Sequence, residues 1–189
     1  MRLLFLPVTL VALLALPSNS RAAESVALPA FRAIDLRGGG QVVVLPGASQ
    51  RVTLVEGNSR LTRFSVDRRG RLMIDGCRNN CPRSYKLRIE IRSPRMPDAA
   101  ISGGGSIRAA PGFRGQDSIS AAIHGGGKID LRALDSRAAS IAVVGGGEVL
   151  VRARASLSAV VTGGGAIRYW GNPQVSSVIR GGGWISRGS

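Results

Sequence analysis

Ile101-Ser102-Gly103-Gly104-Gly105-Ser106-Ile107, Ile123-His124-Gly125-Gly126-Gly127-Lys128-Ile129, Val143-Val144-Gly145-Gly146-Gly147-Glu148-Val149 and Val161-Thr162-Gly163-Gly164-Gly165-Ala166-Ile167 are copies of one pattern. The same pattern opens the chain at 36–42 and closes it at 179–185. From the second copy onward the triplets stand 22, 20, 18 and 18 residues apart, which is coil spacing for a stacked β architecture. Stepping out by two from the flanking aliphatics gives Ile34, Ala99, Ala121, Ile141, Ala159 and Ser177 before the corner, and Val44, Ala109, Leu131, Val151, Tyr169 and Arg187 after it. The period is two on both sides, so each triplet joins two strands with one apolar face.

A single coil of this kind has nothing to bury its apolar face against and must stack on copies of itself, with a rise of about 4.8 Å per coil. The expected fold is all-β: a right-handed parallel β-helix of coils of 18–22 residues with glycine corners, and an irregular, hairpin-like insertion in its N-terminal half. Glycine suits the corner because it accepts positive φ and close approach of neighbouring backbone. Glycine-rich turns also cradle phosphates, but those turns lead into a helix, and no helical pattern follows any triplet here.

The insertion spans the residues between the first two triplets. Tyr85, Leu87, Ile89 and Ile91 alternate there with Lys86, Arg88, Glu90 and Arg92, a half-buried strand, and Asp67-Arg68-Arg69-Gly70 reads as a turn. These signals fit antiparallel hairpins or wider coils beside the regular stack. Cys77 and Cys81 are expected to be bridged: redox pairs are spaced by two residues, and no histidine or third cysteine stands near enough to complete a metal shell.

Met1-Arg2 precedes an apolar run from Leu3 to Leu16, and Ser20-Arg21-Ala22 supplies small residues at a cleavage site. Residues 1–22 therefore read as a Sec signal peptide cut after Ala22, and 23–189 as a single domain of periplasmic or secreted location. No cysteine near that site suggests a lipid anchor, and the single arginine of the n-region argues against twin-arginine export. The formal charge is +15, of which Arg2 and Arg21 account for two, leaving +13. The part from 51 to 95 holds +8 of this and the regular coils from 96 to 189 hold +5. A strongly basic exported chain is drawn to anionic surfaces such as lipopolysaccharide or acidic polysaccharide.

The runs Phe31-Arg32-Ala33-Ile34-Asp35-Leu36, Val42-Val43-Val44-Leu45-Pro46-Gly47, Val52-Thr53-Leu54-Val55-Glu56-Gly57-Asn58 and Gly70-Arg71-Leu72-Met73-Ile74 extend the pattern. Tyr169-Trp170-Gly171-Asn172-Pro173 and the last glycine corner complete it. Over 31–187 the chain resembles the auto-transporter adhesin head GIN domain family of bacterial envelopes. The resemblance implies an exported β-helical domain with an adhesive role and carries over no catalytic residue. Since the last coil is followed almost at once by Ser189, no room is expected for an outer-membrane barrel.

Enzymatic chemistry on the same scaffold is the alternative. A hydrolase needs two carboxylates on one strip, and Asp130 with Glu148 is the best local pair; a lyase acting on acidic polysaccharide needs an arginine base and a carboxylate cluster for calcium, and no such cluster is visible. His124 is the only histidine and sits in an outward position. No serine elbow or nucleotide loop is present, and neither cofactor nor metal is expected. Tyr169 and Trp170 suggest local packing. Trp184 lies in the last coil, whose open strand edge invites self-association through the C-terminal end, with Arg180 and Arg187 as its guards or its contacts. The favoured reading is a non-enzymatic envelope protein that binds an anionic partner through Arg63, Arg68, Arg69, Arg71, Lys86, Arg88, Arg92 and Arg95. The alternatives are an acidic-polysaccharide lyase or hydrolase on the β-helix, and a self-associating structural module.

Overall fold

Alternation at period two becomes strands wherever the apolar half of each run can meet another run. The computed structural model describes residues 23–77, 81–82 and 84–189, so the export-signal reading of 1–22 lies outside the described residues. These contain fifteen strands and no helix. They are β1 (Glu24–Val26), β2 (Ala33–Arg37), β3 (Gln41–Pro46), β4 (Arg51–Glu56), β5 (Arg63–Val66), β6 (Arg71–Asp75), β7 (Arg88–Ser93) and β8 (Asp98–Gly103). The rest are β9 (Ser106–Ala109), β10 (Gln116–Gly125), β11 (Lys128–Gly145), β12 (Glu148–Thr162), β13 (Ala166–Trp170), β14 (Gln174–Arg180) and β15 (Trp184–Arg187).

All belong to one curled, open sheet. Strands entering a glycine corner stack in parallel as a first column: β2, β8, β10, the second half of β11, the second half of β12, then β14. Strands leaving a corner form a second column: β3, β9, the first halves of β11 and β12, β13 and β15. The register keeps like on like, with Ile101 beside Ile123, Val143 and Val161 in turn, and Ile107 beside Ile129, Val149 and Ile167. These ladders are the core, and most members are fully buried. Each such Val, Ile or Leu contributes roughly 1.5–3 kcal/mol relative to exposure.

The insertion is both a wider coil and a set of hairpins. β6 pairs in parallel with β2, and β7 in parallel with β3, so the insertion places a coil on the far side of the first one. Coil order in space thus departs from chain order. Antiparallel strands then close this end: β5 on β6, β4 on β7, and β1 on β4. Antiparallel covers with charged outward residues protect an edge that would otherwise invite further pairing.

Cys77 and Cys81 are bonded, with Cα atoms 5.6 Å apart, just after β6. The loop they close is short, so replacing both by serine is expected to cost about 2 kcal/mol or less in urea denaturation.

The corners show why glycine recurs. At Gly145 φ is +115°, and a Cβ would stand 2.6 Å from the Gly125 carbonyl oxygen. At Gly147 a Cβ would stand 2.6 Å from Cγ2 of Ile123, one coil back. At Gly146, between them, a Cβ meets nothing within 4 Å. Two amides of the corner bond to the coil before: Gly146 N–H donates to the Gly125 carbonyl at 3.0 Å, and Glu148 N–H to the Gly127 carbonyl at 2.9 Å. The triplet therefore serves as a stacking device, with two amides of the corner bonded between coils.

Candidate functional site

Outward side chains divide the molecule into two unlike faces. On the first column, from β10 onward, they are nearly all small and uncharged. A shallow groove of about 550 Å³ runs there past Ser118, Ser120, Ser140, Ser156, Ser158 and Ser176. On the second column they are mixed, with long basic side chains standing among neutral ones and the acids Glu90, Asp130 and Glu148.

The structure splits the eight predicted residues between these faces. Arg63 and Arg71 lie on β5 and β6, and Arg68 and Arg69 on the turn joining them, all at the capped end of the first column. That turn is fixed by Asp67, whose carboxylate accepts the N–H groups of Arg69 at 2.8 Å and Arg71 at 2.9 Å. These hydrogen bonds, Arg71 first, outweigh the small desolvation and hold the Asp67 carboxyl below its ordinary value. The turn's contribution to stability is thus present above the ordinary aspartate range and lost as pH falls through the lowered folded value. Arg32 joins this cluster by donating from Nε to the Arg69 carbonyl at 2.9 Å.

Arg88 and Arg92 project from β7 on the second column, Lys86 precedes that strand, and Arg95 sits in the turn after it. Arg92 stands directly opposite Arg51 of β4. Farther along the same column come Arg108, Arg132, Arg152 and Arg168, which the sequence reading did not single out. Their signal was available: they occupy the outward positions five and seven residues beyond the first glycine of a corner. Among the described residues none of Arg51, Arg88, Arg92, Arg108 and Arg168 has an ion-pair partner.

Arg108, Asp130, Arg132, Arg152 and Trp170 line a groove of about 450 Å³ on this face. Arg132 donates from Nε and Nη2 to the two carboxylate oxygens of Asp130, at 2.9 and 2.7 Å, and its guanidinium lies 5.4 Å from the centre of the Trp170 ring. Trp170, read as local packing, is indeed packed, and its Nε1 donates to the Ser189 carbonyl at 3.2 Å. Arg168 likewise lies over Trp184 at 5.2 Å. Such stacking pre-orders a guanidinium while leaving its edge free to meet an anion.

The carboxylate pair weighed for hydrolysis does not form a couple. Glu148 pairs with Lys128 at 2.6 Å, and Asp130 with Arg132. Burial pushes the Asp130 carboxyl up, but the hydrogen bonds and charge of Arg132 prevail and hold it below its ordinary value. A carboxyl so held is a fixed anion, where a general acid would need the opposite shift. His124 is stacked between Ser102 and Val144 on the first column, with no acid or base beside it in the ladder. No helix among the described residues is long and apolar enough to cross a membrane.

No curated protein matches this chain. A "putative adhesin" from Bacteroides fragilis has the same fold at a TM-score of 0.58 and 18% identity, over 90% of this chain and 98% of that one. A "putative lipid binding protein" from Parabacteroides distasonis aligns at 0.39 and 16% identity, over 88% and 96% of the two chains. A "putative adhesin" from Parabacteroides merdae aligns at 0.42 and 16%, over 89% and 96%. Residues 98–173 match the family model described as "Putative auto-transporter adhesin, head GIN domain". The resemblance to the head GIN domain family read from the sequence is thereby shown, over the coils from β8 to the end of β13.

Proposed function

We propose that this chain is an exported, non-enzymatic module of the cell envelope that binds anionic polymers, lipopolysaccharide or acidic polysaccharide, along the outer face of its second column. The observation that carries this reading is the set of arginines spread over the strands of that column, Arg51, Arg92, Arg108 and Arg168, none with an ion-pair partner among the described residues. Like charges set directly opposite each other, as Arg51 and Arg92 are, cost the sheet stability, and a polyanion laid across them offsets that cost. Arg92 and Arg108 lie two strands apart across β3, about 10 Å, an interval that a chain of acidic sugars or phosphates can follow. The cluster of Arg63, Arg68, Arg69 and Arg71 offers a second contact at the capped end of the first column.

The adhesin-like relatives and the signal reading of 1–22 support periplasmic or secreted placement and a binding role. We take the coils to wind as a right-handed parallel β-helix, the hand favoured by crossovers between parallel strands.

Incubation with lipopolysaccharide and with a polyuronate at low and high salt tests the function. Binding is expected to weaken steeply with salt while the polymer's size stays unchanged; release of sugar fragments would instead support the lyase or hydrolase. Asp130→Asn separates the two readings further. Removing this anion frees Arg132, so affinity for the polymer should rise about two- to fivefold at low salt. An enzyme using Asp130 would lose its activity.

A further inference from the structure

The C-terminal end of the described stack presents free strand edges. β14 pairs only with β12, and β15 only with β13, so one edge of each strand is free. Inward positions that are sealed in earlier coils are open here: Val175 is 39% and Ile179 46% exposed, and Trp184 is 40% exposed beside them. The other end of the molecule, by contrast, is closed by β1 and β5.

We propose that a second copy of the chain covers this end, related to the first by a two-fold axis through Gly182. A coil is a bent ribbon: one strand runs into the glycine corner and the other runs out. A two-fold along the bisector of that bend superposes bend on bend and lays β14 of one copy antiparallel on β15 of the other, satisfying both free edges at once. A single added strand would satisfy only one edge. Counting outward from Gly182, residue 181 meets 183 of the second copy, 180 meets 184, 179 meets 185 and 177 meets 187. Because strands alternate, inward meets inward. Ile179 then caps Ile185 and extends the core ladder across the axis. Arg180 comes over Trp184 of the second copy, whose ring already carries Arg168 of its own chain at 5.2 Å. Arg187 falls opposite Ser177, so neither exposed arginine meets its own image. The contact is isologous and closes on itself. If the basic face binds polymer as proposed above, the dimer presents two such faces on opposite sides and bridges two polymers.

A cysteine placed on the axis reads this geometry. Gly182 has room for a side chain and lacks positive φ, as does Gly164 one coil back. The native cysteines are bonded to each other and leave no free thiol among the described residues. Residues facing across the axis at about 4.8 Å fall within disulfide reach. Under mild oxidation Gly182→Cys should run as a covalent dimer on a non-reducing gel, and Gly164→Cys as a monomer. Sedimentation of the parent chain should show mass doubling between about 1 and about 500 µM, in line with a small interface; Ile179→Lys should abolish it. Failure of Gly182→Cys to cross-link, equal cross-linking of Gly164→Cys, or a parent mass that stays monomeric would overturn the proposal, the last leaving this end to a foreign strand.

Discussion

Gly145→Ala is expected to lower stability by about 3–5 kcal/mol, while Gly146→Ala, its immediate neighbour, leaves it within about 0.5 kcal/mol or slightly raised. Two costs add at Gly145. Its φ of +115° lies where a residue with a Cβ is strained, and that Cβ would press to 2.6 Å from the Gly125 carbonyl, itself fixed by the Gly146 amide. The backbone cannot retreat without breaking the ladder from coil to coil. At Gly146 neither cost exists, and alanine also reduces the freedom of the unfolded chain. Urea denaturation of the two variants measures the contrast. Equal effects would mean that the triplet is retained for something other than stacking. A loss of this size is a large part of a typical domain's stability, so Gly145→Ala should be recovered poorly from cells.

The second large effect concerns binding. Replacing Arg92, Arg108 and Arg152 by alanine should weaken retention of lipopolysaccharide or polyuronate about 10- to 150-fold at low salt, from roughly 0.5–1 kcal/mol for each exposed guanidinium. All three project outward from separate strands of the second column, and among the described residues none has an ion-pair partner. Arg152 donates to the Arg132 carbonyl at 3.3 Å, a contact the sheet can spare. The matching variant with Arg63, Arg68 and Arg69 replaced should lose less than about threefold, because that cluster occupies the other column. Comparable losses from both would show a diffuse attraction to net charge.

The aliphatic ladders and glycine corners were legible because both depend on local rules: a side-chain period of two, and the steric demand of a tight stacked turn. Ile101, Ile123 and Val143 announce their register by their distance from a triplet. The return of the insertion was not legible. Nothing in the runs around Leu72 and Ile89 says that they pair with the first coil on the side away from the second, since that choice is made by strands distant in sequence. The candidate face was half legible for the same reason. Arg88 and Arg92 stood out because basic charge is dense around them, whereas Arg108, Arg132, Arg152 and Arg168 are spread over separate coils among acids such as Asp117, Asp130, Asp135 and Glu148. Stacking collects them into one face, and only the coil register could have summed them. Trp170 and Trp184 gained their meaning the same way, each from an arginine in another coil or beside it in the stack.

The central claim is that the set of arginines spread over the second column takes a polyanion. Its most direct test is the dependence of polymer affinity on salt, measured for the parent chain and for the Arg92, Arg108 and Arg152 variant. Each guanidinium that neutralises the polymer releases counterions, so the slope of log affinity against log salt should fall by about two to three on removing these three. A slope unchanged by the variant, or a parent affinity indifferent to salt, would contradict the account.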